Sequence, residues 1–219
     1  MRDGQGRQLA QMNKSNVAFA IDSLFRILTA SSMSFFIYRI GRSYLLDTSR
    51  ITTLLFLTSE VITLAFVILS RRPTFRDSNP AYAALTIFAT FVVPLFTLAV
   101  QDAALVSEVV ASSIAIIGVL WTIYAKLSLG RSFGLVAAHR AIKVEGAYRY
   151  VRHPLYIGYL VIDFAFLLRN FTLSNCVVIV GFCLAQVLRA LREERTLMAD
   201  PTYRDYCGKV KYRFIYGVF

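Results

Sequence analysis

A chain of 219 residues has the length of one ordinary domain, but 57% of its residues are hydrophobic and only 17% are charged, proportions that exclude a typical water-soluble domain. The mean hydropathy of +0.57, together with several apolar runs near the roughly 20 residues a helix needs to cross a bilayer, makes lipid the main solvent. A formal charge of +11 would direct a soluble protein to nucleic acid, yet here Lys and Arg gather beside the apolar runs, where they serve topology and anionic headgroups, so no nucleic-acid partner is expected.

The first apolar run is Val17–Tyr38, with Asp22 and Arg26 one helical turn apart. Arg2, Arg7 and Lys14 precede it, but no A-x-A-like cleavage site follows, so it is read as an uncleaved span. The second run, Ile51–Ser70, stops at Arg71-Arg72-Pro73. The third, Tyr82–Val100, contains Pro94, which a membrane helix tolerates when neighbours satisfy the freed carbonyl. The fourth is Val106–Lys126, preceded by Asp102 with Glu108 near its start. The connection after it holds Lys126, Arg131, Arg140, Lys143, Arg149 and Arg152 against Glu145, which places it in the cytoplasm. Leu155–Leu168 and Leu173–Leu188, joined by Arg169-Asn170-Phe171-Thr172, then predict a helical hairpin.

The expected fold class is therefore all-α: a polytopic membrane bundle of about six segments, the last two a hairpin, followed by a cytoplasmic tail over Arg189–Phe219. Arg39, Arg42 and Arg50 run against this topology, since they would face outward. Two regions are expected, 1–126 with four spans where acceptor selectivity would reside, and 127–219 carrying the chemistry. Cys176, Cys183 and Cys207 are too few and too scattered for a disulfide framework or a CxxC metal site, and no metal is expected.

The candidate functional residues fall in two blocks flanking the hairpin. The first combines Leu129-Gly130-Arg131-Ser132-Phe133-Gly134 with Glu145-Gly146-Ala147-Tyr148-Arg149-Tyr150-Val151-Arg152-His153-Pro154-Leu155-Tyr156-Ile157-Gly158. Pro154 suits the first turn of a helix, so His153 sits at its cap beside free backbone N–H groups. Gly158 leaves room for a ligand or for the second hairpin helix. An aromatic and basic interfacial belt would also account for Tyr148, Arg149 and Tyr150. The second block is Arg189, Arg192, Glu193-Glu194-Arg195-Thr196-Leu197, then Tyr203, Tyr206, Val210, Arg213 and Phe214-Ile215-Tyr216-Gly217-Val218. Two carboxylates at the end of a span are costly unless a cation or several donors compensate; pairing with Arg189, Arg192 or Arg195 would do so, as would a cationic ligand.

The run G-A-Y-R-Y-V-R-H-P-L-Y-I-G, a hydrophobic hairpin, E-E-R-T-L-M, spaced tyrosines and the ending R-F-I-Y-G-V resemble the isoprenylcysteine carboxyl methyltransferase family over roughly Leu129–Phe219. The resemblance implies an integral membrane enzyme that holds S-adenosylmethionine between hairpin and tail, releases S-adenosylhomocysteine, and receives a lipid-like or amphipathic acceptor from the bilayer. It assigns His153, Tyr156 and Glu193 or Glu194 to the cofactor site, with Arg152, Pro154 and Gly158 completing the loop. Ala147 departs from the family's usual proline, and Tyr216 fills a variable position.

Methyl transfer from a sulfonium needs in-line alignment and a dry site more than acid–base work. A carboxylate acceptor also needs a cation to orient it, and Arg152, Arg189 and Arg213 are the candidates. An amine acceptor must lose a proton, which Asp163, inside an apolar helix, could take; Glu60 is a second intramembrane acid, and both could instead pair across the bundle. Trp121, Phe88 and Phe91 read as lipid-facing or packing aromatics. Short length and tails point to a bacterial plasma membrane with the site facing the cytoplasm, and the sequence leaves oligomeric state open. The alternatives are a membrane sterol-type reductase using NADPH, although no G-x-G-x-x-G unit opens a helix, and a transporter.

Overall fold

The computed structural model describes residues 2–69, 80–96, 98, 104–129 and 144–218, and all regular structure among them is helical. Arg71-Arg72-Pro73, Asp102, Gly130–Gly134, Arg140 and Lys143 lie outside the described residues. The helices are α1 (Arg2–Leu46), α2 (Ile51–Leu69), α3 (Pro80–Phe91), α4 (Glu108–Leu129), α5 (Pro154–Arg169), α6 (Leu173–Leu197) and α7 (Pro201–Lys209). Three of them, α2, α4 and α6, are long and apolar enough to cross a membrane. At 16 residues α5 is about 24 Å long, short of a hydrocarbon layer of roughly 30 Å.

The apolar runs locate the helices, but polarity marks where lipid ends rather than where a helix ends. α1 extends to 45 residues, well beyond Val17–Tyr38 at both ends, because no proline interrupts its flanks. α6 likewise continues past Leu188 to Leu197, through Arg189, Ala190, Leu191, Arg192, Glu193 and Glu194, all good helix formers. The segment expected as tail thus begins as helix. It then forms α7, with Pro201 in the first turn and the Asp200 side chain accepting from Thr202 N at 2.8 Å.

α3 departs in the other direction. It stops at Phe91 and gives way to a 3-10 turn over Val93–Leu95, because Pro94 lacks the N–H and crowds the preceding turn. Arg39 of α1 then donates to the carbonyls of Pro94 (2.7 Å) and Phe96 (3.4 Å). At the same end of the bundle Arg50 pairs with Asp47 (2.9 Å) and Arg169 pairs with Glu108 (2.7 Å), while Glu108 also accepts from Thr52 N at the start of α2. Arg39 and Arg50, which ran against the expected topology, are therefore committed to partners within the protein.

Between these ties lies an aromatic core. Phe56 stacks on Phe166 with ring centroids 4.7 Å apart and meets Phe36 and Phe96 edge-on at 5.9 and 6.1 Å. All four rings are at most 1% exposed. α5 packs most extensively on α4 rather than on its hairpin partner α6. Small residues allow this approach: a Cβ on Gly118 would lie 2.8 Å from Ile162, and one on Gly158 would strike Thr122 still more closely. Gly158 therefore makes room for α4. The hairpin turn is closed by Thr172, which accepts from Asn175 N (3.1 Å), and by Asn175, which donates to Asn170 O (2.6 Å).

Candidate functional site

At the opposite end of the bundle, the loop before α5, the end of α6 and the chain after α7 converge. A 3-10 turn over Gly146–Arg149 opens the loop, with Gly146 at φ 63°, a conformation that L side chains rarely adopt; a Cβ there would also strike Ser128. Pro154 occupies the first turn of α5 and His153 its cap position, as its place before the proline predicts. The imidazole does not cap the helix. It turns to α6 instead, and the half-buried Trp121 of α4 donates its indole N–H to Pro154 O at 2.8 Å.

Two backbone hydrogen bonds draw the chain after α7 against this loop: Arg152 N donates to Tyr212 O and His153 N to Arg213 O, both at 2.9 Å. The Arg152 side chain adds a bond to Lys211 O at 2.7 Å, and Tyr206 OH donates to Tyr148 O at 2.7 Å. Burial pushes the phenols of Tyr148, Tyr203 and Tyr206 above their ordinary pKa, so they act as neutral hydroxyls.

Glu194 is the hub of this junction. Its Oε1 lies 3.0 Å from Arg152 Nη1 and 3.1 Å from His153 Nε2, and its Oε2 accepts from Arg213 Nε at 2.9 Å. Three cationic or donor groups, from the loop and the last segment, thus surround one carboxylate that is only 4% exposed. Such a buried charge is tolerable because every oxygen is compensated by a charge-assisted bond. These partners lie far from Glu194 in the sequence.

Glu193 has a different setting. It is half-buried and its Oε2 accepts from Tyr156 OH at 3.2 Å. Tyr156 stacks on His153 (5.5 Å, 11° between planes), and Phe214 leans against both rings, at 5.6 Å from His153 and 6.3 Å from Tyr156. The Arg189 guanidinium lies 5.8 Å from the Tyr156 ring centroid and donates to Gln186 Oε1 at 2.9 Å. The structure thus brings Arg152, His153, Tyr156, Arg189, Glu193, Glu194 and Arg213 together, with Gly158 packed away from them against α4. Trp121 and Gln186 were not legible as site residues, since nothing in their local sequence distinguishes them from packing groups, whereas Tyr206 of the second block is the tyrosine that latches onto Tyr148.

The arrangement offers an aromatic wall, a reachable carboxylate beside it, and a buried ionic hub that fixes both. Residues 111–199 match the model of the isoprenylcysteine carboxyl methyltransferase (ICMT) family. No curated protein matches the chain. The match runs from α4 to the end of α6 and includes Arg152, His153, Tyr156, Glu193 and Glu194, while Arg213 and Phe214 lie beyond it. Over residues 111–199, less than half of its length, this chain is therefore similar to the ICMT family.

Proposed function

We propose that the protein is an S-adenosylmethionine-dependent methyltransferase that acts on a lipid-like acceptor at the cytoplasmic face of a bacterial inner membrane and releases S-adenosylhomocysteine. On this reading α1 crosses the membrane with α2, α4 and α6, while the shorter α3 and α5, of 12 and 16 residues, pack within it. The observation that carries it is the Tyr156–Glu193 pair set in the wall of His153, Tyr156 and Phe214, held by the Glu194 hub. A sulfonium nucleoside carries a base that stacks, hydroxyls and an ammonium that bind carboxylate, and a positive centre that aromatic faces favour; these residues fit all of those demands. When bound, S-adenosylmethionine supplies an electrophilic methyl group.

The chain's own residues do the positioning. Glu193 binds the ribose hydroxyls or the amino group, and the stacked rings hold the base and exclude water. Arg152 and Arg213 are engaged with Glu194 and keep loop and tail together. Arg189, over the Tyr156 ring, is the arginine we assign to an anionic part of the acceptor.

Calorimetry on the purified protein in detergent tests the reading. S-Adenosylhomocysteine should bind in the micromolar range, and Glu193→Gln or His153→Ala should weaken it at least tenfold. Binding of NADPH in its place would overturn the proposal, as would wild-type affinity in both variants.

A further inference from the structure

The loop that carries Arg152 and His153 rests on one face of α4. Trp121, Ala125 and Ser128 recur at four and then three residues along that helix, so they share a face, and the first and last stand about 10.5 Å apart along the axis. Each meets a different part of the loop. Ser128 Oγ donates to Tyr124 O at 2.7 Å and, with its lone pairs, accepts from Ala147 N at 3.1 Å. Ala125, fully buried, belongs to the same apolar cluster as Ala147 and Leu155. Trp121 donates its indole N–H to Pro154 O at 2.8 Å, and its neighbour Thr122 lies against Gly158, one turn farther along α5.

The chain between these contacts is slack. Extended, the residues from Ala147 to Pro154 could reach about 23 Å, more than twice the roughly 10.5 Å between Ser128 and Trp121, so chain length alone does not set where Arg152 and His153 stand. The 3-10 turn over Gly146–Arg149 takes up part of the surplus. Tyr212 and Arg213 hold the backbone of Arg152 and His153 from the tail, and Trp121 holds the next residue, Pro154, from a membrane helix. A carbonyl has two lone pairs, so Pro154 O can take the indole as well as the N–H of its own helix. Resting on the methyltransferase reading above, we propose that Trp121 is a positioning residue for the cofactor. By holding Pro154 O it sets the rotation and depth of the first turn of α5, and so places the stacked His153 and Tyr156 rings opposite Glu194 and Glu193. Losing the indole N–H lets that turn shift on α4, and a displacement of about 1 Å is enough to misalign a preorganised site.

The chain has one tryptophan, so fluorescence from the full-length protein in detergent reports Trp121 alone. Adding S-adenosylhomocysteine should change its emission along the same binding curve that calorimetry gives. Trp121→Phe keeps an aromatic ring and loses the donor; it should weaken binding at least fivefold while the protein retains wild-type helical content. In a His153→Ala background the same substitution should weaken binding less than twofold, because a group it positions is gone, whereas a loss of packing alone would add in full. Unchanged emission, wild-type affinity in Trp121→Phe, or the full fivefold loss in the His153→Ala background would each overturn the inference. If Trp121→Phe does not fold, the emission titration of the wild type decides alone. Absence of S-adenosylhomocysteine binding by the wild type would instead overturn the methyltransferase reading, and the inference with it.

Discussion

Replacing Glu194 with Ala removes one carboxylate and strands three partners, of which the Arg152 and His153 side chains are only 8% and 7% exposed. Removing one member of a buried ion pair costs about 3–5 kcal/mol, because the remaining charge stays desolvated without compensation. Arg213, at 30% exposure, regains water and adds less to the penalty. The lost interactions tie the loop before α5 and the tail to the end of α6. The expected result is local: the equilibrium for opening the tail should rise on the order of a hundredfold to a thousandfold. Hydrogen exchange reads this directly, since the amides of Arg152 and His153 are bonded to Tyr212 and Arg213 carbonyls. Their exchange should accelerate by that factor, while amides around Phe56 and Phe166, at the far end of the bundle, keep wild-type protection. Glu194→Gln, which keeps one acceptor oxygen, should fall between. Unchanged exchange at Arg152 and His153, or equal acceleration throughout the core, would refute the hub.

Other consequences follow from single contacts. Gly158→Ala should lower the thermal midpoint in detergent, and Thr122→Ala in the same chain should restore much of the loss, since the added methyl strikes the Thr122 side chain. Arg39→Ala leaves the Pro94 carbonyl without its donor and should cost about 1–3 kcal/mol in denaturant unfolding. A double-mutant cycle of Tyr156→Phe and Glu193→Gln should show a coupling of about 0.5–1.5 kcal/mol in S-adenosylhomocysteine binding, reflecting their hydrogen bond. Because folding raises the Tyr206 pKa, the stability it contributes is complete below the ordinary tyrosine value of 10.0 and is lost as pH rises through the higher folded value. Tail protection should therefore decline in alkali, and Tyr206→Phe should blunt that decline.

Composition and periodicity alone determined that the chain is helical and lipid-solvated. They placed α2 within a residue of its observed end, Pro154 in a first helical turn, and the two functional blocks on either side of a hairpin. These features are local, arising from hydrophobic runs, propensity and the missing N–H of proline, and so are written in neighbouring residues. Tertiary structure alone decided that α5 lies chiefly on α4, that Arg39 serves the carbonyls of Pro94 and Phe96 beyond the end of α3, and that Glu194 rather than Glu193 anchors the junction. The partners of Glu194 stand 41 and 42 residues before it and 19 after it, and Glu193 and Glu194 are interchangeable as a sequence. Only the angular offset between consecutive residues on α6, set against a loop and a tail joined by backbone hydrogen bonds, gives one a buried ionic cage and the other a tyrosine.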